Sequence, residues 1–243
     1  MKEAPKKIPK EMLDTYTVGG KIPIKYSYRN DCGYESQHEY SSNYTEENLN
    51  FFIEKIKNGG THGYGMTDIW MYQALKKYPI QGKSVCIVGS TCPWYEAMSI
   101  VHGASNCTVF EYSDRQNFVD NVEYIKPKDI GDKKYDVCIS VSSIEHDGLG
   151  RYGDPLDPNG DIRAMKEAKQ YIKKDGLMFL SVPVGSDTVF FNVHRVYGKI
   201  RLPMLLKEWK KVDAFGINKY SLTNNINNEY SSEYQPVFVL KND

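Results

Sequence analysis

No apolar run in this chain of 243 residues approaches the roughly 20 residues that a helix needs to span a bilayer, so no membrane span is expected. Charge of one sign is not in surplus either. Lysine plus arginine and aspartate plus glutamate number 31 each, which argues against a general electrostatic grip on nucleic acid while leaving room for a local basic patch. Cysteine is scarce: Cys32, Cys86, Cys92, Cys107 and Cys138 are odd in number, and no pair has CxxC or zinc-ligand spacing. Cys86, Cys107 and Cys138 fall inside predicted strands, where a thiol behaves as a small hydrophobe. A reducing, cytoplasmic location follows as the expectation. The opening MKEAPKKIPKEMLD is basic but lacks an apolar stretch after it, so it does not read as a signal peptide. Internal repeats and low-complexity tracts are absent too.

Tyrosine, by contrast, is abundant at 19. Amphipathic packing accounts for most of these residues, with sugar or purine stacking as the second reading. A chain of this length suits one large domain, or one domain with an extension. Residues 1 to about 44 have weak periodicity and read as an irregular arm, ordered only where its tyrosines dock. From Thr45, a plausible N-cap, Leu49, Phe52, Ile53 and Ile56 fall at helical spacing up to Gly59. A second helix is predicted from Thr67, as its cap, to Tyr78 before Pro79. Between them lies GGTHGYGMTD, whose His62 either reaches a neighbouring cleft or is an ordinary loop residue. The expected division is 1–80, an arm with a two-helix extension, and 81–243, the main domain.

From Lys83 strands and helices alternate, which implies a doubly wound, mostly parallel α/β sheet of Rossmann type. Predicted strands are Ser84–Val88, Cys107–Glu111, Val122–Ile125, Asp136–Val141 and Leu177–Val182. Lys211–Phe215 and Pro236–Leu240 follow, the last as an antiparallel partner. A helix is predicted over Ile162–Lys173, with Asp161 as its N-cap and Gly176 just past its end. The first strand enters the tight turn Gly89-Ser90-Thr91 and then a helix, an arrangement that aims backbone N–H groups at a ligand. Glu111 ends the second strand at the distance where nucleotide-binding α/β domains hold ribose hydroxyls. The bland alternative is a tight turn plus an exposed acid.

The fourth strand turns abruptly polar at Ser142, Ser143, Glu145, His146 and Asp147, where open α/β sheets place their ligands. His146 is the candidate base, since its ordinary pKa of about 6.5 suits neutral pH, with Glu145 or Asp147 orienting its ring. It could equally only hold the loop together. Asp154, Asp157 and Asp161 read first as Asp-Pro turns and a helix cap, and only second as ligands for Mg²⁺ or Ca²⁺. Arg195, beside His194, and Arg151, beside Tyr152, could together bind a phosphate or carboxylate, or be surface arginines. Trp94 reads as packing of the first helix on the sheet.

The Gly89 turn, terminal Glu111 and strand order resemble a class I S-adenosylmethionine-dependent methyltransferase. The stretches IVGSTCPWYEA, VFEYS, SSIEHDGLGRYGDP and VPVGSDTVFFNVHRVYGKIRLP resemble, more specifically, a family of domains of unknown function first described from nematode proteins. The match runs from about Thr61 to Gly216. The resemblance implies that Gly89, Ser90 and Thr91 approach the methionine part of S-adenosylmethionine. It implies that Glu111, with Tyr112 beside it, holds the ribose, and that Ser142 and Ser143 border the cofactor while the cluster through His146 faces the acceptor. Two features depart from the pattern: Ile87 stands where methyltransferases usually carry an acid, and Ser90, Thr91, Cys92 and Pro93 replace the further glycines. The implied reaction is methyl transfer to a small polar acceptor, a carbohydrate or nucleotide-sugar hydroxyl, without nucleic acid as partner. Two rivals remain open: nucleotide-sugar or glycan chemistry on the same fold without S-adenosylmethionine, and a degenerate binding module.

Overall fold

A computed structural model describes residues 3–29, 31, 44–112, 119–224 and 234–243. In chain order these form α1 (Lys10–Thr17), β1 (Ile24–Tyr26), α2 (Glu46–Lys57), α3 (Met66–Lys77), β2 (Ser84–Val88) and α4 (Trp94–Val101). There follow β3 (Asn106–Phe110), β4 (Val122–Ile125), β5 (Tyr135–Val141), α5 (Gly160–Tyr171) and β6 (Ile172–Ser181). The last are β7 (Thr188–Phe191), β8 (His194–Val196), α6 (Arg201–Leu205), β9 (Lys210–Phe215) and β10 (Val237–Lys241). Seven of the strands form one sheet in the order β4-β3-β2-β5-β6-β10-β9. β10 runs antiparallel to both its neighbours, and the other pairings are parallel.

The period-two alternation of strand side chains sorts the core onto two faces. Val85, Ile87, Val137, Ile139, Phe179, Val237 and Val239 meet Leu49, Phe52 and Ile56 of α2, Met71, Ala74 and Leu75 of α3, and Ala97 and Met98 of α4. Cys86, Cys138, Met178, Leu180, Phe238 and Leu240 meet Met165 and Ala168 of α5, Leu202 and Leu205 of α6, and Trp209. Both faces are thus covered, which is why these strands read as nearly continuous apolar runs. Buried Cys86, Cys107 and Cys138 are free thiols, as is the half-buried Cys92, while Cys32 lies outside the described residues. Among the described residues, no helix is long and apolar enough to cross a membrane.

The amino-terminal stretch departs from the irregular arm expected of it. Lys10–Thr17 is helical, and β1 pairs in parallel with β7, which pairs antiparallel with β8, making a second, three-stranded sheet. Tyr16 is buried against Phe191 and donates its hydroxyl proton to the Gly148 carbonyl at 2.5 Å. Two helix starts also differ. Thr45 caps α2 as expected, accepting from the Asn48 N–H at 3.1 Å. Thr67, however, lies inside α3 and donates to the Gln235 carbonyl at 2.8 Å, so Gly65 takes the cap position. Asp161 is likewise inside α5, which starts at Gly160 after Asn159 and runs directly into β6, leaving Gly176 within that strand. In both cases a tertiary partner outbids the orphan N–H groups of the helix end.

Candidate functional site at the switch point of the sheet

The strand order reverses between β2 and β5, whose carboxyl ends frame the crevice where open α/β sheets bind ligands. Gly89 follows β2 and Ser142 follows β5, so the two polar stretches singled out in the sequence face one another there. Gly89 has φ +72°, and a Cβ on it would stand 2.4 Å from Ser143 Oγ. Only glycine fits that approach. The Ser90 N–H donates to Glu111 Oε2 at 3.2 Å, and the Tyr112 N–H donates to Glu111 Oε1 at 2.8 Å. Ser90 Oγ donates to Glu96 Oε1 at 2.7 Å, and the Tyr44 hydroxyl donates to the Ser90 carbonyl. Thr91 and Tyr112 are exposed. The turn and the acid are therefore in contact.

At the end of β5, Ser142 adopts φ +52°, a left-handed conformation that costs a non-glycine residue and collects at functional sites. Its hydroxyl donates to Glu145 Oε1 at 2.8 Å and accepts from Gln235 Nε2 at 3.2 Å, and the Tyr64 hydroxyl also reaches it. Glu145 is wholly buried, and its Oε2 has no hydrogen-bond partner. Burial pushes its carboxyl up to about 7, with the Arg151 and Arg195 charges offsetting only part of the shift. His146 follows a different course from the one expected of a base. Its Nδ1 lies 2.7 Å from the Val193 carbonyl, which requires the proton there and so orients the ring in place of a carboxylate. Burial, then the Arg151 charge, holds it down to about 3, so it is neutral at physiological pH and a weak proton acceptor. Nε2 stands 3.7 Å from Glu145 Oε1. Burial and then the Asp154 charge raise Asp147 to about 8.

Several residues expected to bind substrate hold the loop instead. Arg195 is 1% exposed, and its guanidinium donates to the carbonyls of Glu145, Asp147, Asp157 and Pro158 at 2.6–3.4 Å. It is not placed to clamp an anion. Arg151 pairs with Asp31 at 2.7 Å and stacks over Tyr152, so the two arginines do not form the anion site the sequence suggested. Asp154 accepts from the N–H groups of Gly148 and Gly150 at 2.8 and 3.1 Å. Asp157 takes the Asn159 N–H and pairs with Arg163, while Asp161 is fully buried against Arg201 and Tyr197. The three carboxylates thus serve separate partners. Among the described residues no group of three or more His, Cys, Asp and Glu gathers as metal ligands do. His194 is buried between the rings of Phe190 and His146. The His62 ring packs on Phe52 and Trp94, where burial lowers its pKa. Trp94 packs as expected and donates to buried Asp68 at 3.0 Å. Tyr64 and Gln235 were missed by the sequence reading, since a loop tyrosine and a lone glutamine carry no spacing signal.

A doubly wound sheet of this order is the fold of the class I S-adenosylmethionine-dependent methyltransferases. Among solved structures, the N-methyltransferase NodS from Bradyrhizobium japonicum WM9, in complex with S-adenosyl-L-homocysteine, shares this fold. It is 9% identical, with 73% of this chain and 86% of that one covered and a TM-score of 0.50. TehB from Haemophilus influenzae is 13% identical over 78% of this chain and 65% of that one, TM-score 0.48. A Streptococcus mutans protein described as an S-adenosylmethionine-dependent methyltransferase is 16% identical over 70% of this chain, TM-score 0.44. This chain spans about half the length of that protein, 47%. No curated protein matches the chain. By its sequence the chain belongs to the family described as Caenorhabditis protein of unknown function, DUF268, whose model matches residues 82–241.

Proposed function

We propose that this protein transfers a methyl group from S-adenosylmethionine to a hydroxyl of a small polar acceptor, a carbohydrate or nucleotide sugar. The observation that carries the proposal is the contact of Glu111 with the Gly89–Ser90 turn, 3.2 Å from Oε2 to the Ser90 nitrogen, beside the polar end of β5. Glu111 would hold the ribose hydroxyls. The Gly89-Ser90-Thr91 turn would meet the amino-acid end, with Ser142 and Ser143 along the opposite wall. When bound, the cofactor supplies an activated methyl group. The chain's own task is to align an acceptor oxygen with it, keep water out and take up the oxygen's proton. Alignment of this kind is worth on the order of 7–11 kcal/mol at best.

Thermal-shift titration with S-adenosylhomocysteine tests the proposal. At about 100 times the dissociation constant, binding adds roughly 2.7 kcal/mol, or about 5–11 °C for a chain of this size. No shift at millimolar ligand would refute it. The packing of Ser143 onto Gly89 favours a second reading, because that glycine then serves an internal contact. On this reading the same fold carries nucleotide-sugar chemistry without S-adenosylmethionine. Nucleotide-sugar binding that survives Glu111→Gln but is lost on Asp147→Asn would select it.

A further inference from the structure

Glu145 Oε2 and Gln235 Oε1 are both buried acceptors without a donor, and both side chains converge on Ser142 Oγ. Bare acceptors are costly in a protein interior and rare in native folds. Here they sit together with a strained Ser142 at the switch point of the sheet. Tyr64, itself partly exposed, reaches the same serine from a loop in which Gly63 and Gly65 have φ +73° and +52°. What the cluster lacks is a proton donor, and an acceptor hydroxyl is one.

On the methyl-transfer reading given above, we propose that Glu145 is the general base for the acceptor hydroxyl, with Ser142 and Gln235 positioning its carboxylate and Tyr64 covering the subsite. The acceptor's O–H bond breaks and its proton passes to Oε2. The oxygen's electron pair forms the new O–CH₃ bond, and the pair of the broken S–CH₃ bond stays on sulfur. Glu145 leaves the step neutral and returns its proton to solvent. Its carboxyl, raised to about 7, is matched to that exchange, whereas His146 at about 3 is not.

Sinefungin carries an amino group where S-adenosylmethionine carries its methyl group, so its ammonium reports a carboxylate beside the transfer point. Calorimetric titration of the wild-type protein near pH 8 should show sinefungin binding at least about tenfold more tightly than S-adenosylhomocysteine. Glu145→Gln should remove that preference while leaving S-adenosylhomocysteine affinity within about twofold. In the wild-type protein the preference should also vanish near pH 5.5, where Glu145 holds its own proton, a measurement that needs no variant. The charged and titratable groups around Glu145 in that titration are Tyr64, His146, Asp147, Tyr152, Tyr197, Arg151 and Arg195. A preference that survives either Glu145→Gln or acid, or one absent from the wild type, overturns the assignment. Failure of both ligands to bind overturns the methyl-transfer reading itself, a separate result.

Discussion

Glu145→Gln should change the pH dependence of stability in a way that can be worked from the site. An ordinary glutamate titrates near 4.5, and burial pushes this one up to about 7. The folded state therefore holds the proton more tightly than the unfolded chain. Stability from this group is fully present below about 4.5 and is lost as pH rises through about 7. The span corresponds to on the order of 3 kcal/mol, undiminished by solvent because the side chain is wholly buried. Glutamine carries no such dependence. It does replace a bare acceptor at Oε2 with a bare amide, at a cost of roughly 1–3 kcal/mol. The two effects oppose each other above pH 7, where the variant should match or slightly exceed the wild type. Near pH 5 only the cost remains, and the variant should be the weaker by roughly 1–3 kcal/mol. Urea denaturation of both proteins at intervals between those limits measures the difference. His146 and Asp147 titrate in both proteins, so their contributions largely cancel. A difference that stays constant within about 0.5 kcal/mol across the range would refute the placement of a raised, unpaired carboxyl here.

Three other perturbations follow from the same geometry. Asp161→Asn removes the charge that Arg201 meets through Nε at 3.0 Å and Nη2 at 2.5 Å, stranding a buried cation. Urea unfolding should register a loss on the order of 3–5 kcal/mol. Gly89→Ala drives a Cβ to 2.4 Å from Ser143 Oγ at a φ of +72°, and should cost about 1–3 kcal/mol in thermal melts. Adding Ser143→Gly should recover the steric part and leave the backbone part. Glu111→Gln keeps an acceptor for the amides of Ser90 and Tyr112 but loses the charge, so it should weaken S-adenosylhomocysteine binding about tenfold or more. Its melting temperature without ligand should stay within a few degrees, about 1 kcal/mol.

The main sheet was legible because its strands are short, β-branched and bounded by glycine, proline and charge. Ser84–Val88 and Val122–Ile125 fall where the pattern puts them. The second sheet was not legible, because β1 is three residues long and its register partner for Ile24 is Val189, far along the chain. Local pattern cannot report a pairing of that separation. The helix caps at Thr67 and Asp161 failed for a related reason: their polar atoms have better partners in the folded chain, the Gln235 carbonyl and Arg201. The turn at Gly89 and the acid at Glu111 were readable as a pair and lie in contact. Arg195 was misread, since polarity after an apolar run looks the same whether the side chain meets a ligand or four carbonyls of its own chain.

That misreading bears on the chemistry at Glu145. A guanidinium bonded directly to a carboxylate lowers its pKa by about 1–3, which would leave Glu145 a poor proton acceptor near neutrality. Arg195 is close enough for its charge to act on Glu145, yet its donors are directed at the carbonyls of Glu145, Asp147, Asp157 and Pro158. Its Nε stands 3.7 Å from Asp161, which also answers Arg201. Arg151 is held by Asp31. The cations near the site are thus occupied by the loop they fix, and Oε2 is left bare beside them. Arg195 therefore acts on the Glu145 carboxyl through its charge alone, while its hydrogen bonds fix the surrounding loop.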